Sequence, residues 1–109
     1  MANIYTNAKV DLTTTAETVL YTTPSNSRAI VKSLLVSNDA GSAATLTATL
    51  TNAAGAVFSL FKVKSIASNT TEQLLTEPLV LLESEILKVT ASDANELHVV
   101  VSILEINRD

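Results

Sequence analysis

From residue 34 to residue 106 the chain writes one short run of valine, isoleucine, leucine and threonine after another, each closed by small polar residues, and this texture restricts it to an all-β fold. The clearest period-two signal is Ala44–Thr51. Ala44, Leu46, Ala48 and Leu50 fall on one face, and Thr45, Thr47, Thr49 and Thr51 fall on the other, which is expected to be wet. Threonine suits an extended backbone because its branched Cβ already restricts its rotamers. Asn52-Ala53-Ala54-Gly55 then offers a turn in which Gly55 takes a positive φ at little cost, so the strand is expected to pair antiparallel with a second one over residues 57–63.

The same reading places strands at Thr18–Thr22, at 29–36 between the turn signals Pro24-Ser25-Asn26-Ser27 and Asn38-Asp39-Ala40-Gly41-Ser42, and at 72–75 and 79–82 on either side of Pro78. Two more follow at 86–90 and 97–106. About eight short strands joined by polar turns predict an antiparallel β-sandwich or jelly roll. Residues 17–109 form that single domain. Residues 1–16, which include Thr13-Thr14-Thr15, are the least regular and are expected to be an N-terminal arm or irregular segment. Glu83-Ser84-Glu85 holds no glycine or asparagine, so no tight positive-φ hairpin is signalled there.

The last strand says most about function. Leu97, Val99, Val101 and Ile103 point one way, while His98, Val100, Ser102, Leu104 and Ile106 point the other. An antiparallel sheet ordinarily keeps one face wet, so three aliphatic residues on the second face imply cover. Either another subunit or a loop or arm of the same chain supplies it. Leu97, Val99, Val100, Val101, Ile103 and Leu104 are the expected interface residues.

Nothing in the composition favours chemistry. With no cysteine there is no thiolate nucleophile and no disulfide, and zinc would have to rest on His98 and carboxylates. A net charge of −4 with seven scattered basic residues opposes a phosphate-binding surface, so no nucleic acid is expected. No secretion signal or membrane span is read, which predicts a protein that is not exported. Aromatic residues are 4% of the chain, too few for sugar stacking platforms to be a leading idea.

His98 shares a strand face with Ser102 and neighbours Glu96, but period-two spacing does not supply the convergence that a general base needs, so the expectation is a sheet-face histidine and no enzyme. Asp93, Asn95 and Glu96, and likewise Glu83 and Glu85, lack the spacing of a calcium loop and read as solvated turn residues. The two glycines, Gly41 and Gly55, cannot form a phosphate-binding loop. No cofactor is expected.

Three further segments carry a resemblance. Val19-Leu20-Tyr21-Thr22-Thr23-Pro24 followed by Ala29-Ile30-Val31-Lys32-Ser33-Leu34-Leu35-Val36-Ser37-Asn38, then the threonine-rich hairpin at 45–61, then the leucine-rich strand, acidic turn and closing valine strand at 79–105, together resemble small β-sandwich structural proteins of tailed bacteriophages. The resemblance implies a virion component made in the host cytoplasm, foremost a capsid decoration (cement) protein. It would work as a homo-oligomer, a trimer foremost, against the major capsid protein or other virion proteins. The alternatives are a head-to-tail or tail-fibre adaptor and, in another class, a host-surface carbohydrate-binding module.

Overall fold

The structure is a computed structural model that describes residues 2–107; Met1, Arg108 and Asp109 lie outside the described residues, as does the side chain of Ala2. Nine strands follow one another: β1 (Ala2–Asp11), β2 (Thr18–Thr22), β3 (Ser27–Asn38), β4 (Ala44–Thr51), β5 (Val57–Ile66), β6 (Thr70–Gln73), β7 (Leu79–Leu81), β8 (Ile86–Ala91) and β9 (Leu97–Asn107). They form two antiparallel sheets. One has the order β1-β9-β3-β6 with β7 also paired to β3, and the other has the order β2-β8-β4-β5. Only the β4–β5 and β6–β7 connections stay within a sheet, and every other connection crosses to the opposite one, which is the winding of a jelly roll.

The expected β4–β5 hairpin is present, with Thr51 opposite Val57 and Gly55 at φ 92°. Asn52 closes it, its Oδ1 accepting from the N–H groups of Ala54 and Ala56 at 3.0 and 2.9 Å. The acidic turn behaves differently from a hairpin. Ser84 adopts φ 67° without being glycine or asparagine, held where its N–H donates to the Thr23 carbonyl at 3.1 Å. The strands on either side belong to different sheets, so this turn is a crossover.

Within the segment expected to be an arm or irregular, Ala2–Asp11 form a regular edge strand paired antiparallel with β9, from Ala2 opposite Asn107 to Asp11 opposite His98, and residues 12–17 lie outside the strands. Leu12 then turns into the core at 1% exposure, its N–H donating to the Leu97 carbonyl and its carbonyl accepting from the Asn95 N–H. Ile4, Thr6, Ala8 and Val10 alternate on one face of β1, which is the signal a sequence reading has available for this strand.

The core lies between the sheets. Leu34, Leu46, Ile66, Leu81, Leu87 and Leu97 are all at most 1% exposed, and each such burial contributes about 1.5–3 kcal/mol. A bulge keeps β3 in phase with it. Val31 faces Ile103 and Ser33 faces Ser102 in register, so Lys32 is an extra residue, and both Val31 before it and Leu34 after it point inward. The threonine face of β4 is drier than expected. Thr49 and Thr51 are buried at 8% exposure, flanked in register by the longer Lys88 and Ile86 of β8.

Candidate interaction surface

Two layers cover one face of each sheet, and the outward face of the β1-β9-β3 sheet is the one the sequence reading singles out. Of the six expected interface residues, Leu97, Val99, Val101 and Ile103 are at most 1% exposed and pack in the chain's own core, where no partner can reach them. They occupy the inward side of a strand that has neighbours on both edges, and the opposite sheet closes over them. Val100 and Leu104 stand on the outward face and remain half-buried.

Register assembles the rest of that face. Leu104 lies opposite Tyr5 on β1 and opposite Ile30 on β3, and Ile30 lies opposite Val80 on β7. Tyr5, Leu104, Ile30 and Val80 therefore form an apolar row running across four strands. Tyr5 is 77% exposed and Val80 53%. A second pair, Leu35 and Val100, sits further along, with Leu35 38% exposed. Tyr5, Ile30 and Val80 escape a sequence reading because their meeting depends on strand order, which period two does not encode.

Polar groups frame the row. Ile106 and Arg28, opposite one another, line a shallow cleft of about 240 Å³ with Leu82 and Glu83. Glu83 Oε1 accepts the Asn26 N–H at 2.5 Å and so fixes this edge. Lys9 and Lys32 are exposed on the same face, and with Arg28 they share its rim with Glu83, Asp11 and Asp39, so its charges are mixed.

His98 sits at the far end, between two carboxylates: Nε2 lies 3.2 Å from Asp11 Oδ1 and Nδ1 lies 3.9 Å from Asp39 Oδ2. Ser37 is opposite it in register, but the Ser37 hydroxyl accepts from Thr71 Oγ1 at 3.3 Å. Glu96 lies elsewhere, its Oε1 accepting from Ser42 Oγ at 2.5 Å. The two aspartates approach different ring nitrogens, so the three groups do not converge on one point. Among the described residues no group of three or more His, Cys, Asp or Glu is placed to hold a metal ion, and no helix is long and apolar enough to cross a membrane.

Another polar contact of β9 is structural. Tyr21 Oη donates to Glu105 Oε2 at 2.6 Å, joining the two sheets across the end of the sandwich. Burial, reinforced by this hydrogen bond and by the Glu105 charge, holds the Tyr21 phenol well above its ordinary range.

Comparison with known proteins adds a likeness of fold. No protein-family model and no curated protein matches the chain. Among solved structures, a chain from the Gx strain of infectious bursal disease virus superposes on 97% of this one with a TM-score of 0.53 and 12% sequence identity. A chain from the Gt strain covers 98% with a TM-score of 0.46 and 11% identity. This chain spans 29% of the length of the Gx-strain chain and 31% of the Gt-strain one. At the level of fold, this chain is a two-sheet antiparallel β-sandwich like a segment of a protein found in a virus.

Proposed function

We propose that this protein is a non-enzymatic virion structural component that binds the capsid shell as a decoration (cement) protein. The observation that carries the reading is the apolar row Tyr5-Leu104-Ile30-Val80, a continuous strip laid across an outward sheet face with no third layer over it among the described residues. Such a strip fits contact with protein, because contiguous apolar surface on a small domain marks an interaction site. The shared fold with a segment of a viral chain and the resemblance to bacteriophage structural proteins support the same class.

A decoration protein stabilises the shell by mass action, since anything that binds the assembled state alone shifts the equilibrium toward it. Particles carrying the protein are therefore expected to release their contents at a higher temperature than particles lacking it. Equal heat resistance would overturn the cement role. Particle imaging also counts copies: many over the shell support decoration, and a few at one vertex support a head-to-tail or tail-fibre adaptor.

A further inference from the structure

Among the described strands β1 is the edge that nothing blunts, and we propose that it pairs with β1 of a second copy of this chain, antiparallel, about a two-fold axis that passes beside Asn7 perpendicular to the sheet. This pairing is independent of the decoration role.

A strand at a sheet edge presents a row of backbone N–H and C=O groups to any other strand, and edges are ordinarily kept short, bulged or charged to prevent pairing. The other edges of this molecule follow that rule. β2 has five residues and its ladder to β8 slips between Val19 and Tyr21. β6 and β7 have four and three residues, with Pro78 just ahead of β7. β5 slips twice and carries Lys62 and Lys64. By contrast, the ten residues of β1 keep one unbroken register with β9 and include no proline, no glycine and no positive φ.

The free backbone groups can be named. The Leu12 N–H donates to the Leu97 carbonyl, one step beyond Asp11 opposite His98. Alternation along the ladder therefore gives the even residues of β1 to β9 and turns the backbone groups of Asn3, Tyr5, Asn7, Lys9 and Asp11 toward the open side. All five residues are exposed. Their other backbone contacts are local: the Asp11 carbonyl accepts from the Thr13 N–H at 2.9 Å, and Thr6 Oγ1 comes within 3.5 Å of the Asn7 carbonyl. The inward face adds a second observation. Ala8 and Val10 pack against the core, but Ile4 on the same face is 48% exposed.

Asn7 is the midpoint of residues 3–11, so pairing about it engages every free position. On the outward face it sets Asn3 opposite Asp11, Tyr5 opposite Lys9, and Asn7 opposite its own mate, whose amide both donates and accepts. On the inward face it sets Thr6 opposite Ala8 and Ile4 opposite Val10. Ile4 thereby gains an apolar cross-strand neighbour, the Tyr5 ring lies along the Lys9 stem, and no like charges are opposed. An axis beside Thr6 instead sets Ile4 against the smaller Ala8 and leaves Asp11 without a described partner. The occupant follows from the same comparison of edges. Pairing requires a strand whose own edge is open and unbulged, and among the described strands β1 is the one this chain offers. The two larger sheets become one continuous sheet across the pair, and the outward apolar row stays uncovered.

Sedimentation equilibrium of the purified full chain from low to high micromolar concentration is expected to show a reversible approach to twice the 11.5 kDa chain mass. A monomer throughout, a trimer, or a chain that pairs only with a strand of another protein overturns the proposal. Hydrogen exchange over the same range is expected to protect the Tyr5, Asn7 and Lys9 amides as the dimer forms, with Thr6 and Ala8 protected in both states. Dimerisation without that alternation overturns the edge pairing.

Asn7→Pro removes an outward N–H that β9 does not use, and an edge position of this kind tolerates proline. It is expected to leave the monomer folded and to raise the dimer dissociation constant at least about tenfold, as loss of one or two hydrogen bonds would. An unchanged constant overturns the proposal. The register is tested at Tyr5, which is 77% exposed, so that substitutions there spare the fold. Tyr5→Lys opposes Lys9 of the other copy and is expected to dimerise at least about threefold more weakly than Tyr5→Glu, which pairs with it. Equal constants for the two variants overturn the Asn7 axis. Loss of shell binding with an intact dimer would sink the decoration role alone, and shell binding by a strict monomer would sink the dimer alone.

Discussion

β9 and β5 are both long, aliphatic strands, and they contribute to the molecule in opposite ways. β9 has a partner on each side and buries every inward residue from Leu97 to Ile103. β5 pairs with β4 alone and leaves Val57, Phe58 and Val63 between 53% and 60% exposed. Its ladder also slips twice: Leu60 is an extra residue, and Lys62 with Val63 opposes the single Thr47. At the second slip Val63 takes φ 53°, unusual for a β-branched residue, and its N–H donates to Thr47 Oγ1 at 3.1 Å. Such irregularity and the lysines at 62 and 64 blunt an edge that would otherwise recruit other strands. Hydrophobic content alone therefore does not rank strands; the number of neighbours does.

The sharpest way to break this contrast is Val101→Asp. An uncompensated charge at a fully buried site in the centre of β9 is expected to cost more than about 3 kcal/mol and to abolish cooperative unfolding in a urea titration. A folded variant with near-native stability would mean that β9 is not the core strand described here.

An intermediate effect is expected at the end of β9, where Tyr21→Phe deletes the hydrogen bond to Glu105 and is expected to cost about 1–2 kcal/mol. The pH dependence has a definite sign. Because the folded-state phenol is raised above its unfolded value, its contribution is complete below about pH 10 and is lost as the pH climbs beyond that. Thermal melts across the alkaline range should show wild type losing more stability than Tyr21→Phe. Parallel curves would show that the contact contributes nothing.

The smallest effect belongs to β5. Phe58→Ser replaces a side chain that is 53% exposed on an edge, and the melting temperature is expected to move by the equivalent of less than about 1 kcal/mol. A loss comparable to that of Val101→Asp would erase the distinction between the two strands.

Much of the fold was legible in the sequence because period two reports burial directly. Strands at Thr18–Thr22 and Ala44–Thr51 match their expected bounds, and those at 29–36 and 57–63 extend further, to Ser27–Asn38 and Val57–Ile66. β1 was missed because an edge strand needs only one modestly apolar face. Ile4, Thr6, Ala8 and Val10 supply it among asparagines and lysine. The bulges carry no glycine to announce them. Strand order is set by crossovers between sheets, which no local pattern records, so the outward face of the candidate surface was visible only at Val100, Leu104 and Ile106.

The pairing of β9 between β1 and β3 also dictates an order of events. Sheet order places the strand nearest the C-terminus in the middle of the larger sheet, with partners drawn from the first third of the chain. During synthesis β1 and β3 emerge with a gap between them that nothing fills until residues 97–107 arrive, while β4 and β5 can already pair as a local hairpin. The β4–β5 hairpin is thus the natural place for structure to start. Both sheets are completed by late insertions, β8 between β2 and β4 and β9 between β1 and β3, and completion of the larger sheet should respond far more to changes in β9 than to changes in β5.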